Sequence, residues 1–377
     1  MATTNEYARL AAVVYAKTPA NRVRVGADWE ELDLLRDHPL TGFAAGVFRH
    51  RGTGEIVIAF TGTNEETVRD WVSGNLPASV GWPSPQVLAA MQLYLRVKQQ
   101  FGDNISFTGH SLGGGLAGLM AVYFDRPATV FAPAPFEKSA LTEETIFYYR
   151  ASLVSRGLSD PAFTHYIPAE HFAARERNVQ AYSIQGEIVL ARLGRSFTIV
   201  DPARDEIIPV GANAASPVDL HGLLLHAAAL ESPVFRQALQ QVPAMLPVIF
   251  DRTLEARNPE VSTEADFLHR LLRRHWGIEG SAAGAALNRF AADALALAGD
   301  TGLAQTQARD ALLAAAVEYH YYAADAAPFF AVADGHLSFD FGRIVGSGML
   351  SSLGASKAIP RLRQALESAF GADAAEI

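Results

Sequence analysis

The chain has no cysteine among its 377 residues. Disulfides, thiolate nucleophiles and zinc–thiolate sites are therefore excluded. Basic residues are not in excess either: 31 lysines and arginines stand against 40 acidic residues, for a formal net charge of −9. Such a chain repels phosphate backbones and anionic membrane surfaces, so we expect no nucleic-acid partner. Any transient contact with a membrane surface must then use apolar residues rather than charge.

Long apolar runs are also missing. No stretch approaches the ~18 consecutive apolar residues of a membrane span. The first residues mix Glu6 and Arg9 into their apolar positions, unlike a secretory signal peptide. We therefore expect a soluble protein that is cytoplasmic, or exported by a route without an N-terminal signal peptide. The sequence contains no HExxH, calcium-loop or phosphate-loop motif, so it implies no cofactor and no metal.

Hydrophobic residues make up 49% of the chain, enough for a large buried core. Strand-like and helix-like segments alternate from residue 43 to 132, and this alternation predicts a mostly parallel sheet with helical crossovers, an α/β fold. The predicted segments are a hairpin of Phe43–His50 and Glu55–Phe60, a helix over Ser84–Phe101, a strand over Ile105–Thr108, a helix over Leu112–Phe124 and a strand over Thr129–Ala132.

The same pattern suggests a domain organisation. Residues 1–221 are predicted to form the α/β core, with residues 137–178 inserted as a cap. A further strand is predicted at Val179–Ile184. Phe197–Val200 and Glu206–Val210 predict a second hairpin. Residues 222–377 are rich in alanine and leucine at helical spacing, and we expect a helical C-terminal region packed on the core. A separate helical domain over 222–377 is the alternative, but no linker-like segment marks the joint.

One motif in the sequence is typical of a catalytic site. Gly109-His110-Ser111-Leu112-Gly113 fits G-x-S-x-G, the nucleophile elbow, a strained turn that exposes a nucleophilic serine between a strand and a helix. The pattern alone is weak in a chain with 30 glycines. A predicted strand ends directly before it and a predicted helix begins directly after it, as the motif requires. We therefore predict Ser111 to be the nucleophile.

A serine nucleophile needs a base and an orienting acid, which follow it along the chain in this fold. His221 is the predicted base because it follows the last predicted strand and precedes a helix. Glu187 is the predicted acid because it follows the strand ending at Ile184. Asp201 and Asp205 remain alternatives, although aspartates in such a turn usually cap backbone amides. His226 is expected to pack within its helix.

The reaction also needs amide groups that bind the developing oxyanion. The backbone N–H of Leu112, the residue after the nucleophile, is the first expected donor. The second is expected from Thr63, in the turn that follows the buried strand ending at Phe60; a plain glycine turn is the alternative interpretation.

Together these residues resemble the class 3 lipases, the family of the fungal triacylglycerol lipases. Three segments carry the resemblance: IVIAFTGTNEETVRDW, TGHSLGGGLA and QGEIV, the last with Glu187 where that family usually has aspartate. The resemblance implies an α/β-hydrolase fold and a triad of Ser111, His221 and Glu187. It also implies oxyanion donors at Thr63 and Leu112, with a mobile lid after Thr63.

The sequence therefore predicts a serine hydrolase of lipase or phospholipase type that acts on a lipid or other ester substrate. A thioesterase or acyltransferase could use the same groups. A binding protein that keeps the fold without catalysis is an alternative from another class. An exported bacterial effector that attacks lipids is a further one. No feature of the sequence identifies a protein partner.

Overall fold

The computed structural model describes most of the chain, in several separate parts. They are residues 1–15, 23–35, 43–62, 84–136, 140–193, 199–212, 215–252, 266–276, 282–299, 307–322, 328, 330–334, 336–339 and 355–370. The residues divide into two compact units. The first comprises Met1–Ile208 with Leu220–His226, and the second Pro209–Asp219 with Ala227–Ile377. The predicted boundary after residue 221, and the packing of the C-terminal region on the core, stay predictions.

A seven-stranded sheet forms the centre of the first unit, and its strands lie in chain order. The first three strands pair antiparallel, and the third to seventh pair parallel, which confirms the predicted mostly parallel α/β fold. The strands are β1 (Trp29–Leu35), β2 (Ala45–His50), β3 (Ile56–Phe60), β4 (Ile105–His110), β5 (Ala128–Phe131), β6 (Val179–Ile184) and β7 (Asp205–Ile208).

Helical crossovers join the parallel strands, as the alternation in the sequence predicts. Strands β3 and β4 are buried along their whole length, because helices pack on a parallel sheet and cover its apolar side chains. Ser84 caps the second helix by accepting a hydrogen bond from the Gln86 amide. The helices are α1 (Thr4–Tyr15), α2 (Pro85–Phe101), α3 (Leu112–Phe124), α4 (Glu143–Val154), α5 (Pro161–Thr164), α6 (Ala169–Ala174) and α7 (Ile188–Leu193).

The predicted insertion after β5 is helical where it is described. It contains α4, α5, α6 and a short 3-10 turn over Arg175–Asn178, with no strand among its described residues. Among its aromatic residues, Tyr149 and Phe163 are buried, whereas Tyr148 and Tyr166 are exposed.

The second predicted hairpin is wrong. Asp205–Ile208 pairs parallel with β6, and Ile199 and Val200 lie in a bend rather than a strand. Helix α7 provides the physical reason, because a helical crossover between β6 and β7 brings the next strand into the sheet in the parallel direction. Residues 197 and 198 lie outside the described residues.

The second unit is mainly helical. A buried aspartate, Asp293, accepts a hydrogen bond from the Phe330 amide at 2.9 Å and so ties a two-stranded antiparallel sheet to the longest helix of this unit. None of the described helices is long and apolar enough to cross a membrane. The elements are α10 (Pro233–Gln241), α11 (Met245–Ile249), α12 (Phe267–Trp276), α13 (Ala282–Gly299), α14 (Gln307–Tyr322), β8 (Phe330–Ala333), β9 (His336–Phe339) and α15 (Ala355–Phe370). Helices α8 (Pro217–Leu220) and α9 (Leu223–Glu231) contain residues of both units.

Candidate active site

Ser111 lies on a sharp turn between β4 and α3, where its backbone has φ 56° and ψ −125°. A positive φ is unfavourable for a residue with a side chain, so the surroundings must hold it. The Ser111 amide donates to the Phe131 carbonyl at 3.0 Å, and its own carbonyl accepts from the Gly115 and Ala134 amides. The backbone at Ser111 is therefore fixed by three hydrogen bonds.

The two motif glycines are required by close backbone approach. A Cβ on Gly109 would stand 2.4 Å from the Gly113 carbonyl oxygen, and one on Gly113 would stand 2.2 Å from the Phe60 carbonyl oxygen. Neither position can hold a side chain while this turn is formed. The sequence motif and the local geometry therefore agree at each of its three defining positions.

Glu187 and His221 meet in the interior of the first unit. Oε2 of Glu187 lies 2.6 Å from Nδ1 of His221, and both side chains are buried. A carboxylate can only accept, so Nδ1 carries the proton and the neutral ring keeps its lone pair on Nε2. That Nε2 atom is buried and has no hydrogen-bond partner in the part of the chain that the structure describes. A nitrogen in this state can accept a proton.

The Glu187 carboxylate is held ionised by its partners. Burial alone would raise its pKa. The hydrogen bond with His221, the charge on that ring when it is protonated, and the amides of Val189 and Leu190 outweigh burial and lower the pKa below its usual value. The two amides lie 2.9 Å and 2.6 Å from the carboxylate oxygens, in the first turn of α7. The helix N-terminus thus fixes the acid in both place and charge.

His110 adds a contact that the sequence interpretation did not predict. Its Nε2 lies 2.6 Å from the His221 carbonyl oxygen, and its Nδ1 lies 2.9 Å from the Tyr15 hydroxyl. The rings of His110 and His221 are 4.6 Å apart between centroids. The only sequence feature that points to this contact is His110 itself, a polar ring at the first variable position of G-x-S-x-G and at the end of a buried strand. Tyr15 gives no such signal.

Burial keeps two neighbouring histidines neutral. It places the pKa of His110 well below its usual value, and the nearby His221 and His226 rings add to this effect. Burial also lowers the pKa of His226 to about 4. His226 is fully buried in α9, as the sequence predicts, and its Nδ1 lies 3.0 Å from the Gly222 carbonyl.

The structure thus brings Ser111, His221 and Glu187 into one unit, with His110 in contact with His221 and adjacent to Ser111 in the chain. Leu112 is the first residue of α3, and the amides of a first helical turn have no partner within the helix. Thr63, the other predicted oxyanion donor, lies outside the described residues, as does the predicted lid after it.

The alternative acids are placed differently. The Asp201 carboxylate accepts from the Ala203 amide at 2.9 Å and caps a short 3-10 turn, which is the structural role expected of it. Asp205 is the first residue of β7. Among the described residues, no group of three or more histidine, aspartate and glutamate side chains is arranged to hold a metal ion.

The mostly parallel sheet and the strained serine turn between β4 and α3 define an α/β-hydrolase. Residues 6–230 match the family model of the Tle-like phospholipase domain, described as phospholipase-like, and the chain belongs to this family. Residues 6–230 therefore form a lipase- or phospholipase-like hydrolase domain, which confirms the predicted class of enzyme.

Individual relatives match smaller parts of the chain. The extracellular phospholipase A1 of Serratia liquefaciens is 37% identical over 94 residues, which are 25% of this chain and 28% of that protein. The Lip2 lipase of Yarrowia lipolytica is 15% identical, with a TM-score of 0.35 over 55% of this chain and 78% of that one. A deletion mutant of Rhizomucor miehei lipase in a propeptide complex is 16% identical, with a TM-score of 0.37 over 55% of this chain and 66% of that one.

Proposed function

We propose that this chain hydrolyses carboxylic ester bonds of lipids, phospholipids included, through a triad of Ser111, His221 and Glu187. One observation carries the proposal: Glu187 fixes Nδ1 of His221 at 2.6 Å, and the opposite ring nitrogen is buried and unpartnered within the described residues. This is the arrangement that a general base needs beside a serine nucleophile. The family membership and the phospholipase A1 relative support a phospholipid as the substrate class.

The proposed reaction has two halves. In the first, Nε2 of His221 removes the hydroxyl proton of Ser111 while the serine oxygen attacks the ester carbonyl. The resulting imidazolium is stabilised by the ionised Glu187. It returns the proton to the leaving alcohol as the ester C–O bond breaks, which leaves an acyl group on Ser111. In the second half, His221 takes a proton from water and the water oxygen attacks the acyl-enzyme. The imidazolium then returns the proton to the Ser111 oxygen as its bond to the acyl group breaks, and the fatty acid leaves.

The tetrahedral intermediate carries a negative charge on oxygen in both halves. We assign its stabilisation to the backbone amides of Leu112 and Thr63. The N-terminal end of α3 begins at Leu112, and the dipole of that helix favours negative charge at the same place. This assignment follows from the elbow geometry at Ser111 for Leu112, and from the resemblance to class 3 lipases for Thr63.

A transient contact with the lipid surface belongs to the same proposal. Phe147 is 72% exposed and Val154 is 60% exposed, and their spacing of seven residues puts them on one face of α4. Tyr166 is 82% exposed in the same insertion. The net charge of −9 opposes attraction to anionic lipids, so apolar contact is the available means of adsorption.

The function is tested with wild type, Ser111→Ala and Ser155→Ala, the last being an exposed serine at the end of α4. Each would be assayed on p-nitrophenyl esters of short and long acyl chains and on phosphatidylglycerol vesicles, after thermal melts show equal folding. A fluorophosphonate probe would identify the labelled serine by mass spectrometry. We expect labelling at Ser111 and a loss of hydrolysis only in Ser111→Ala. Full activity in that variant, or an inactive wild type, would refute the proposal.

A further inference from the structure

We propose that His110 is a positioning residue for the general base, holding the main chain of His221 while Glu187 holds its side chain. This inference rests on the proposed function, since it assigns His110 a role in the same reaction. His110 does not contact the ester. It acts through His221, and it is itself held by Tyr15.

The partners of the His110 ring determine which of its nitrogens carries the proton. Its Nε2 lies 2.6 Å from the His221 carbonyl oxygen, which can only accept a hydrogen bond. Nε2 therefore carries the proton and donates it. In the buried neutral ring the lone pair is then on Nδ1, which faces the Tyr15 hydroxyl at 2.9 Å. The single Tyr15 proton is shared between that lone pair and the His110 carbonyl oxygen, both 2.9 Å away, so it is the His221 carbonyl that selects the His110 tautomer.

The contacts from Tyr15 through His110 to His221 connect three separate segments of the chain. Tyr15 is the last residue of α1, His110 is the last residue of β4, and His221 lies in the segment between α8 and α9. The nucleophile follows His110 directly. One side chain therefore links the strand that carries Ser111 to the segment that carries the base, and this link sets the spacing between them.

The Tyr15 hydroxyl packs closely against Gly62 and His110. A Cβ on Gly62 would stand 2.0 Å from the Tyr15 hydroxyl oxygen and 2.5 Å from the His110 carbonyl oxygen. That carbonyl also lies 2.9 Å from the Tyr15 hydroxyl oxygen. Glycine at position 62 is therefore needed for Tyr15 to reach His110. The contact between Tyr15 and His110 is therefore closely packed, as a contact that holds a side chain in position must be.

The His110 contact should affect the rate of the chemical step rather than the binding of substrate. A displacement of the base by about 1 Å can cost roughly 100-fold in rate, because proton transfer needs the donor and acceptor within hydrogen-bond reach. The glutamate contact holds the His221 side chain, whereas the His110 contact holds its main chain. Loss of the His110 contact should accordingly lower kcat and leave KM nearly unchanged.

The test uses full-length variants at position 110 and a soluble p-nitrophenyl ester. His110→Phe keeps a ring but has no donor. His110→Gln places an amide N–H near the Nε2 position and cannot titrate. His110→Asn has an amide that is too short to reach the His221 carbonyl. We expect kcat to fall roughly 10- to 100-fold in the Phe and Asn variants at similar KM. We expect the Gln variant to recover kcat to within about threefold of wild type.

Thermal melts and the fluorophosphonate labelling rate of Ser111 accompany the kinetics. If His110→Phe does not fold, the Gln and Asn variants at matched melting temperature decide the question. Equal kcat in these two variants, or wild-type kcat in a folded His110→Phe, would overturn the positioning role. Such a result is distinct from failure of the triad, which would appear as hydrolysis by Ser111→Ala.

Discussion

Glu187 and His221 are 34 residues apart in the chain, and Oε2 of the first lies 2.6 Å from Nδ1 of the second. Glu187 lies in the turn after β6, and His221 lies in the segment after α8. Two further amides, from Val189 and Leu190, bind the same carboxylate. These three contacts hold the carboxylate against the ring and keep its charge on the Nδ1 side of His221.

Replacing Glu187 with Gln should abolish most of the activity without unfolding the protein. An amide N–H facing Nδ1 would favour the tautomer with its proton on Nε2, where the base cannot accept the serine proton. We expect kcat to fall roughly 10³- to 10⁴-fold. The matched control is Asp201→Asn, which removes a capping carboxylate and should leave kcat near wild type. The prediction is checked by steady-state kinetics on a p-nitrophenyl ester, and the reverse pattern would make Asp201 the acid.

The buried His226 should make the protein less stable in mild acid. Its pKa is about 4 in the folded chain because burial disfavours the charged ring, against 6.5 when unfolded. Between pH 6.5 and 4 the unfolded chain binds a proton that the folded chain does not, so stability falls as the pH falls through this window. The full loss is about 3 kcal/mol, at roughly 1.4 kcal/mol for each pKa unit.

His226→Phe should remove this contribution and flatten the pH dependence, because the ring is kept and the titrating group is lost. Chemical denaturation at pH 7, 5.5 and 4.5 measures the free energy of unfolding at each point. The exposed His171 provides a control, and its replacement by Asn should leave the pH dependence as in wild type. His110 and Glu187 act in the same direction, since their pKa values are lowered too, and both contribute to the slope that remains. An unchanged slope in His226→Phe would contradict the prediction.

The elbow and most of the sheet could be predicted because their signals are local. A buried strand, small residues around Ser111 and an apolar helix follow one another within β4 and α3, and each constrains the next. The hairpin of β2 and β3 was predictable from a short turn between two apolar runs, and it is confirmed. The burial of His226 followed from its place in an apolar helix.

What could not be predicted depends on contacts between distant segments. The link from Tyr15 through His110 to the His221 carbonyl joins three parts of the chain, and no spacing in the sequence encodes it. The parallel direction of β7 depends on α7, whose six residues form a helix too short to recognise by its period. The exposure of Tyr148 and Tyr166 depends on which face of the insertion packs inward.

Two glycines one turn apart in α3 should respond oppositely to alanine. A Cβ on Gly115 would stand 2.4 Å from the Ala134 carbonyl oxygen, whereas one on Gly118 would meet its nearest atom, the Ile199 carbonyl oxygen, at 3.4 Å. Gly115→Ala should cost roughly 1–3 kcal/mol or more through overpacking. Gly118→Ala should be near neutral, helped by up to about 1 kcal/mol of helix propensity.

Thermal and chemical unfolding of the two variants measure this difference. The Ala134 amide binds the Ser111 carbonyl at 2.9 Å, so Gly115→Ala should also lower kcat by displacing the elbow. Gly118→Ala should keep wild-type kcat. Equal stability of the two variants would mean that the residues around Ala134 can move aside without cost.

The exposed face of α4 should contribute to adsorption on lipid. The double variant Phe147→Ser, Val154→Ser removes two large apolar side chains and leaves the buried face, including Tyr149, unchanged. Introduced into Ser111→Ala to prevent hydrolysis, it should lower the partition coefficient onto phosphatidylglycerol vesicles, measured by co-sedimentation, by about 30-fold, since each side chain contributes roughly 1 kcal/mol when partly buried.

Ile207 is the matched control because it is a 40% exposed apolar residue on β7, outside the insertion. Ile207→Ser should sediment with vesicles as the parent does. The same double change in the active enzyme should reduce vesicle hydrolysis and leave hydrolysis of a soluble short-chain ester unchanged, because that substrate needs no surface. Equal adsorption of the double variant and the Ile207 control would assign lipid contact to another part of the chain.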